Sequence, residues 1–430
     1  MEKRGQVSRR EFLLKAGQAA AGAGVVAGFP TIISGRAWGA DGIPPSEQIR
    51  VGFIGVKNRG MQNLTPLMKH AVAVCDVDKN ILASAKAAVE KANGGTCAAY
   101  SDYRKLLEAK DIDAVVISTP DHWHALMTID ACAAGKDVYC EKPLTLVVSE
   151  GQQMVKAARH YKRIVQTGSQ QRSDDKFRQA CELVRSGKLG KIHTVRVGIP
   201  GVNYKEPNRP DSDPPAELDY QSWLGPAPYR PFNVNRVHYN FRWFWDYSGG
   251  QMTNFGAHHL DIAQWGLGMD ESGPVSVEGK ATFDAEKRYE VAQVSEAIYT
   301  YANGVTVICG TNEKGGVTFQ GEKGSIWVTR GKIESTPPEI LMETLSDSDV
   351  HLYASKDHYR NWLECIKSRK LPICDVAIGH RSATVCHLGN IAIRTGRKVI
   401  WDPKAEKVIG DAEQQKMLSY GYRSPWKLPG

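Results

Sequence analysis

The sequence lacks several patterns that would identify whole classes of protein. Its nine cysteines are odd in number and show no CxxC spacing, so neither a disulfide framework nor a zinc site is indicated. It shows no internal repeat, no low-complexity tract and no basic patch with interleaved aromatic residues, and no nucleic-acid partner is expected. After residue 40 no apolar run is long enough to span a bilayer. The composition, 42% hydrophobic and 24% charged, is that of a globular protein, and 430 residues predict two domains.

The first 40 residues have the pattern of an export signal. Arg9 and Arg10 precede Phe12, and an uncharged stretch rich in alanine and glycine follows over residues 16–34. This order resembles a twin-arginine signal peptide, and small residues near position 40 suit cleavage there. We therefore predict a signal over residues 1–40, recognition by the twin-arginine export machinery and a periplasmic destination. An uncleaved membrane anchor is the alternative, because the stretch is nearly long enough to span a bilayer.

The next hundred residues alternate short apolar runs with helical segments. Strands are predicted at residues 51–54, 71–75, 114–117, 137–140 and 164–166. Each run is apolar at successive positions, which is typical of a parallel sheet that is covered on both faces. Strands alternating with helices predict an α/β fold with a doubly wound parallel sheet, the Rossmann arrangement, over residues 48–168.

The pattern changes after this first domain. A helix is predicted over residues 251–267, and alternating runs separated by glycines over 275–328 predict an open, mostly antiparallel sheet. Further helices are predicted near residues 358–368 and 379–395. We therefore expect a second α/β domain, over residues 169–430, with roles in substrate binding and oligomerisation.

The first predicted strand ends in a glycine-rich turn, GVKNRG at residues 55–60. Gly55 allows a tight turn, and Gly60 opens a helix whose free N–H groups attract a pyrophosphate. Lys57 replaces the middle glycine of the usual GxGxxG pattern, and it either impedes close approach of the nucleotide or supplies a charge that faces its phosphates. A strand-to-helix turn without a nucleotide is the alternative interpretation.

Asp76 ends the second predicted strand. A carboxylate at this place accepts hydrogen bonds from both hydroxyls of the adenosine ribose and repels a 2′-phosphate, so NAD is expected in preference to NADP. Asp78 is the other candidate carboxylate, and a helix N-cap is the alternative role for either side chain.

Residues 119–124, TPDHWH, follow another predicted strand, at the carboxyl edge where such sheets bind ligands. Pro120 is expected to support the nicotinamide ring, and His124 is expected to line the site. An HxH pair is also a metal-binding pattern, but no third ligand stands nearby in the sequence, so no metal is expected.

Residues 141–143, EKP, follow the fourth predicted strand. Together with residues 55–60, Asp76 and residues 119–124, in this order and spacing, they resemble the Gfo/Idh/MocA family of sugar and cyclitol oxidoreductases. The resemblance covers essentially the whole chain after residue 40, and EKP is its most specific element. It implies an N-terminal Rossmann domain and a C-terminal α/β domain whose open sheet mediates oligomerisation, and hence a homo-oligomer.

The family's lysine lies between nicotinamide and substrate, which implies a catalytic role for Lys142. A surface lysine in a turn is the alternative. With the resemblance in place, the residues predicted to bind the cofactor are Gly55, Lys57, Arg59, Gly60, Asp76, Thr119, Pro120, His124 and Glu141.

The second domain must supply a proton acceptor. Residues 249–261, GGQMTNFGAHHLD, resemble the family's GG…DxGxHxxD helix, which makes His258 the general base. Asn254 and Asp261 share a helix face with His258, whereas His259 points elsewhere. Asn254 stands where many members have aspartate; it can orient a sugar hydroxyl but cannot take a proton, and Asp261 is the alternative partner of the imidazole. A histidine that only packs the helix is the other interpretation of His258.

The loop over residues 236–247 is dense in aromatic residues and arginine. Aromatic faces pack on sugar CH groups, and arginine and asparagine bind hydroxyls, although a packing cluster between domains is the alternative. The residues predicted to bind the substrate are Asn254, Asp261, His238 and Trp243.

These observations together predict an exported, NAD(P)-dependent oxidoreductase that moves a hydride between nicotinamide and a hydroxyl-bearing carbon of a sugar or polyol. His258 would remove the hydroxyl proton, and Lys142 would stabilise the developing alkoxide. Two alternatives stay open. One is an NAD-dependent glycosidase or lyase that oxidises the sugar transiently and recycles its cofactor; the other is a non-catalytic sugar-binding protein of the same fold.

Overall fold

The computed structural model describes residues 48–429 of the chain. The signal predicted over residues 1–40 lies outside the described residues. Among residues 48–429, no helix has both the length and the apolar character needed to cross a membrane.

A six-stranded sheet forms the first half of the fold. Its strands are β1 Val51–Ile54, β2 Ala71–Cys75, β3 Ala98–Tyr100, β4 Ala114–Ile117, β5 Asp137–Cys140 and β6 Val165–Thr167. Their order in the sheet is β3-β2-β1-β4-β5-β6, and every neighbouring pair is parallel. The direction of winding reverses between β1 and β4, and the carboxyl ends of these strands open the crevice in which such sheets bind ligands.

Helices connect these strands, which confirms the predicted Rossmann arrangement. They are α1 Arg59–Leu64, α2 Lys79–Asn93, α3 Tyr103–Glu108, α4 Asp121–Ala133 and α5 Val148–His160. The strand β3 is not predicted from the sequence, because Ala98 and Ala99 are exposed at the sheet edge and form no buried apolar run.

A nine-stranded sheet forms the second half. Its strands are β7 Ile192–Gly198, β8 Ser276–Thr282, β9 Val294–Thr300, β10 Thr306–Gly310, β11 Gly316–Gly321, β12 Gly324–Thr329, β13 Lys332–Thr336, β14 Val399–Asp402 and β15 Lys407–Val408. Their order is β13-β12-β11-β7-β10-β9-β8-β14-β15. The pair β7 and β10 is parallel and the other pairs are antiparallel, so the predicted, mostly antiparallel sheet is confirmed.

The remaining helices are α6 Asp175–Arg185, α7 Tyr220–Leu224, α8 Gly250–Asn254, α9 Gly256–Leu267, α10 His358–Ser368, α11 Val376–Thr395 and α12 Ala412–Lys416. Helices α6, α9 and α11 pack on the nine-stranded sheet, and Phe177, Leu260 and Leu388 from these helices are buried with Val195 and Tyr299 from the strands. This core includes Met252 of α8 and Leu260 of α9. Among residues 48–429, no group of three or more His, Cys, Asp or Glu side chains is arranged to hold a metal ion.

Candidate active site

The turn after β1 requires glycine at two positions. Gly55 adopts a φ of +78°, and a Cβ on it would lie 2.9 Å from the backbone of Ser118, at the end of β4. A Cβ on Gly60 would lie 2.0 Å from the Gly55 carbonyl oxygen, so any side chain there would open the turn. Lys57, in place of the middle glycine, is exposed and adds a cation at the rim. The two glycines thus keep the edge of the crevice narrow and close to β4.

Asp76 links the end of β2 to this turn. Its Oδ2 accepts a hydrogen bond from the Val56 N–H at 2.9 Å, and its Oδ1 accepts one from the Asp78 N–H at 3.0 Å. Burial raises the pKa of the Asp76 carboxyl, and the two backbone bonds oppose that rise. Asp78 has a different role, because its carboxylate caps α2 by accepting from the N–H groups of Asn80 and Ile81.

A cavity of about 370 Å³ begins at these residues and extends across the carboxyl ends of the strands. The predicted cofactor-binding residues that line it are Gly55, Lys57, Arg59, Asp76, Thr119, Pro120 and Glu141. Lys142 and His238 line it as well. Gly60 and His124 are not part of the lining.

His124 is buried between two carbonyl oxygens. Its Nδ1 lies 2.8 Å from the Pro143 oxygen, and its Nε2 lies 2.9 Å from the Thr119 oxygen. Burial lowers the pKa of the imidazole, but interactions with Cys140, Asp121 and the Pro143 carbonyl together raise it to about 10. As an imidazolium, His124 donates to both oxygens and joins the segment after β4 to the segment after β5. It therefore braces the site and does not line it, contrary to the prediction.

Glu141 is a buried carboxylate at the centre of a hydrogen-bond network. Its Oε1 accepts from Arg59 Nε at 2.8 Å and from the side-chain amides of Asn63 and Gln170, each at 3.1 Å. Burial raises the pKa of Glu141, but Arg59 and Lys142 outweigh it, and the net pKa is lowered. The charged carboxylate holds Arg59 along the wall of the cavity.

Lys142 connects the two domains. Its Nζ donates to both the backbone oxygen and the side-chain Oδ1 of Asn254, each at 2.9 Å. Burial lowers the pKa of Lys142 to about 8; Glu141 opposes this shift and Arg242 adds to it. The ammonium group therefore sits at the cavity wall with a proton that it can release near neutral pH.

A helix break provides one of these contacts. The sequence predicts a single helix over residues 251–267, but α8 ends at Asn254 and α9 starts at Gly256. The His258 N–H donates to the Phe255 oxygen at 3.0 Å, and the Asn254 oxygen accepts from Lys142. The break thus directs a backbone carbonyl at the lysine, which helical periodicity alone does not reveal.

His258 lies beside Lys142 in a neutral state. Its side chain is buried, and its Nδ1 has no hydrogen-bond partner among the described residues. Burial lowers the pKa of His258 well below its ordinary value, and the positive charges of Lys142 and Arg330 lower it further. His259 is committed elsewhere, since its Nδ1 lies 2.7 Å from the Gly198 oxygen. His258 is therefore a neutral imidazole whose Nδ1 is not engaged by any side chain or backbone group of residues 48–429.

Two of the predicted substrate-binding residues lie outside this arrangement. Asp261 is fully buried and bonded to Arg172, with a shortest contact of 2.8 Å, and to the Ser382 hydroxyl at 2.6 Å, so it does not orient His258. Trp243 is 0% exposed and belongs to an aromatic core with Phe241 and Tyr247, so its indole is not available to a ligand. The structure does not support a substrate-binding role for either residue.

Two further residues line the cavity without having been singled out by the sequence. Asp121, the first residue of α4, is buried and accepts a hydrogen bond from the Ser248 hydroxyl; burial raises the pKa of its carboxyl. Arg242 lies over the rings of Tyr239 and Phe241, at 4.5 and 4.7 Å. Asp121 is part of the TPDHWH motif, and Arg242 is part of the loop rich in aromatics and arginine. The sequence therefore indicated both segments but gave neither side chain a role.

Two family models match this chain. The Gfo/Idh/MocA model described as "Oxidoreductase family, NAD-binding Rossmann fold" matches residues 49–169. The model described as "Oxidoreductase family, C-terminal alpha/beta domain" matches residues 173–428, more than half of the chain. The chain belongs to the Gfo/Idh/MocA oxidoreductase family. The first domain of this Gfo/Idh/MocA protein is thus an NAD-binding domain, which confirms the cofactor predicted from the sequence.

Curated relatives of this Gfo/Idh/MocA protein have two kinds of activity in their names. It is 30% identical over 224 residues to an alpha-N-acetylgalactosaminidase of Shewanella oneidensis, covering 46% of this chain and 49% of the relative. It is 29% identical over 196 residues to an inositol 2-dehydrogenase of Salmonella typhimurium, covering 43% of this chain and 57% of the relative. The aligned part spans about half the length of each of these relatives.

Solved structures share the fold of this Gfo/Idh/MocA protein at lower identity. The WlbA dehydrogenase from Bordetella pertussis, in complex with NADH and UDP-GlcNAcA, has a TM-score of 0.62 and 21% identity, covering 83% of this chain and 99% of that chain. The aldose-aldose oxidoreductase from Caulobacter crescentus, complexed with glycerol, has a TM-score of 0.60 and 19% identity, covering 82% of this chain and 99% of that chain. At these identities the likeness shows the fold.

Proposed function

We propose that this protein oxidises or reduces a hydroxyl-bearing carbon of a sugar or polyol. The observation that carries the proposal is the position of Lys142, which lines the NAD cavity and bonds to Asn254, four residues before the neutral His258. Lys142 comes from the first domain and Asn254 and His258 from the second, and the charge of Lys142 acts on the His258 imidazole. The relative named inositol 2-dehydrogenase supports a polyol or sugar as the substrate class.

The residues of this chain have distinct roles in the proposed reaction. His258, as a neutral imidazole, accepts the proton of the substrate hydroxyl. The Lys142 ammonium donates a hydrogen bond to the same oxygen and stabilises negative charge that develops there. Asn254 holds that ammonium through its two oxygens. When bound, the nicotinamide supplies or accepts the hydride.

The test compares two lysines of the same cavity. Residues 41–430, with Lys142→Ala or Lys57→Ala, are assayed by nicotinamide absorbance against a panel of free sugars and polyols. Lys142→Ala is expected to lower turnover by at least about 100-fold, since it removes a donor to the developing charge. Lys57→Ala, which is exposed at the rim, is expected to change mainly the affinity for NADH. Full turnover by Lys142→Ala on a substrate of the wild type would contradict the proposal.

A second candidate function is glycoside cleavage with a recycled cofactor. It is supported by the relative named alpha-N-acetylgalactosaminidase. Transient oxidation would acidify a neighbouring C–H, elimination would release the aglycone, and water would add to the double bond that results. Return of the hydride to the sugar would then leave nicotinamide absorbance with no net change. Nitrophenyl glycosides distinguish the two functions: nitrophenol release without net NADH formation indicates the second, and NADH formation from the free sugar indicates the first.

We also propose that residues 1–40 direct the folded protein to the periplasm through the twin-arginine machinery. The paired Arg9 and Arg10 support this proposal. A fluorescent reporter fused behind residues 1–40 should reach the periplasm, and Arg9→Lys with Arg10→Lys should keep it in the cytoplasm. Recovery of the wild-type fusion in the membrane fraction would instead indicate the uncleaved anchor.

Self-association through the nine-stranded sheet is a further part of the proposal. Val294, Ile298 and Ile400 are exposed on strands of this sheet, although apolar β-strand residues usually pack against a neighbouring layer. Light scattering after size exclusion should therefore give a mass that is a multiple of the monomer. Ile298→Lys should lower that mass, and a monomeric wild type would contradict the proposal.

A further inference from the structure

The C-terminal segment 420–428 packs against the first domain beside the NAD cavity. Tyr422, Trp426 and Leu428 contact the hydrophobic cluster that contains Trp123 and Met127 of α4. Although this segment is far from the Rossmann domain in the sequence, it forms part of that domain's surface.

Two side chains anchor the segment on different elements. The Tyr422 hydroxyl donates to Glu150 Oε1 of α5 at 2.6 Å, and the Glu150 carboxyl is 0% exposed. The backbone N–H of Arg423 donates to the Pro226 oxygen at 2.9 Å, and its Nε donates to the Gly225 oxygen at 3.0 Å. These bonds tie the segment to the first domain and to the loop after α7, and so define where the following residues lie.

Trp426 is placed by these anchors in the wall of the cavity. Its ring centroid lies 4.9 Å from that of Trp123 in an edge-on arrangement, and the Arg104 guanidinium lies 5.1 Å from its centroid. Arg104 is itself bonded to Asp102 at 2.7 Å, and Asp102 lines the cavity too. The indole is thus held from two sides while it contributes to a cavity lining.

The end of the cavity that Trp426 lines is the one marked by Asp76. The Asp76 N–H donates to the oxygen of Tyr100, the last residue of β3, at 3.2 Å, and Asp102 follows Tyr100 by two residues. Asp102, and with it Arg104 and Trp426, therefore lie at the end where Asp76 meets the adenosine ribose in an NAD-binding sheet. An aromatic side chain at this end can stack on the adenine of NAD, because a purine base presents a π-face.

We propose that Trp426 is a cofactor-binding residue that packs on the adenosine half of NAD, and that its anchored segment slows the departure of the nucleotide. This inference rests on the NAD-binding domain and does not depend on the proposed sugar reaction. The adenosine site is then completed by residues 420–428, which lie outside the Rossmann domain.

The test uses fragments of the cofactor with nucleotide-free protein. ADP-ribose and nicotinamide mononucleotide are titrated by calorimetry into wild type, Trp426→Ala, Trp426→Phe and the matched control Leu428→Ala, which alters the same segment but does not line the cavity. Trp426→Ala should weaken ADP-ribose binding by about tenfold or more, the range found when a stacking side chain is removed from a base. Its affinity for nicotinamide mononucleotide should stay within about twofold of wild type, and Trp426→Phe should restore most of the ADP-ribose affinity.

Release kinetics give a second readout. Protein loaded with NADH and chased with excess NAD should lose its NADH fluorescence about tenfold faster with Trp426→Ala than with Leu428→Ala. Equal ADP-ribose affinities in Trp426→Ala and Leu428→Ala would overturn the inference. A parallel loss of both fragments would overturn it as well, because it would show that Trp426 supports the whole domain. Absence of sugar turnover in every variant would count against the proposed reaction and leave these binding results unaffected.

Discussion

His124 lies against the Pro143 carbonyl, and His258 lies close enough to Lys142 to be affected by its charge. Both are buried, yet His124 is an imidazolium and His258 is neutral. Burial disfavours the imidazolium in both. His124 has an acceptor oxygen within 2.9 Å of each ring nitrogen, and its pKa is raised to about 10. His258 faces cations and has no partner on Nδ1 among the described residues, and its pKa is lowered well below the ordinary value.

The difference shows that neighbours decide the protonation of a buried histidine once burial has set the cost of charge. Both ring nitrogens of His124 are bonded to carbonyl oxygens and join two loops, so neither is open to a substrate proton. His258 is neutral, and its Nδ1 bonds to nothing among residues 48–429. His124 is suited to stabilising the site and His258 to accepting a proton. Substitution of each should therefore affect a different property, stability for His124 and turnover for His258.

The largest effect is expected from His258→Ala. Loss of a positioned base should lower turnover by about 10²- to 10⁴-fold, and the Kd for NADH should stay within about twofold because His258 does not line the cavity. Steady-state rates and NADH titration measure the two quantities. The neighbouring His259→Ala is the control: it removes the bond to Gly198 and should lower stability more than turnover. A His258→Ala protein with the wild-type rate would show that the two histidines do not differ in role.

An intermediate effect is expected from His124→Ala. Two buried carbonyl oxygens lose their donor, which should lower the free energy of unfolding by about 2–4 kcal/mol. The folded pKa of about 10 lies above the unfolded value near 6.5, so the contribution is complete below about pH 6.5 and is lost as pH rises towards 10. Urea unfolding should therefore show a gap between wild type and variant that shrinks from pH 7.5 to pH 9.5.

His122, on the same helix, provides the control for that pH dependence. Burial lowers the pKa of His122 to about 3, so its imidazole is neutral in the folded and the unfolded protein throughout this range. The gap between wild type and His122→Ala should not change from pH 7.5 to pH 9.5. If the His124→Ala gap is equally constant, His124 is not an imidazolium.

The smallest effect is expected from pH alone. Lys142 has a pKa lowered to about 8, so its ammonium loses its proton as pH rises through that value. If the charge stabilises the alkoxide, turnover should fall by about tenfold per pH unit above 8. Lys142→Arg keeps its charge and should show no such fall, whatever its absolute rate. A wild-type rate that instead rises through pH 8 would make Lys142 the proton acceptor and leave His258 without that role.

Much of the first domain follows from the sequence. The bounds of β1, β2, β4 and β5 agree with the prediction, because each is a short, mostly apolar run that is almost entirely buried. Local periodicity misses β3, an exposed edge strand. It also merges α8 and α9, since the carbonyl freed at the break between them bonds to a lysine more than a hundred residues away.

The candidate site divides in the same way. Short motifs locate the glycine turn, Asp76 and Lys142, since each depends on the strand that it follows. They misplace Asp261, because its carboxylate forms an ion pair with Arg172, which lies 89 residues earlier in the chain. The motif that contains His124 suggests a pocket residue, and only the opposed carbonyl oxygens show it to be a brace.

By itself, then, the sequence of this protein determined its parallel sheet, the turn that narrows the crevice, and the lysine at its edge. These features depend on residues that are neighbours along the chain, because steric limits on the backbone and the spacing of apolar residues are local properties. Only the tertiary structure decided that Trp243 is core, that His258 is neutral and that Trp426 completes a cavity wall. Burial and electrostatic surroundings arise from elements that are distant in the sequence and meet only when the two domains pack together.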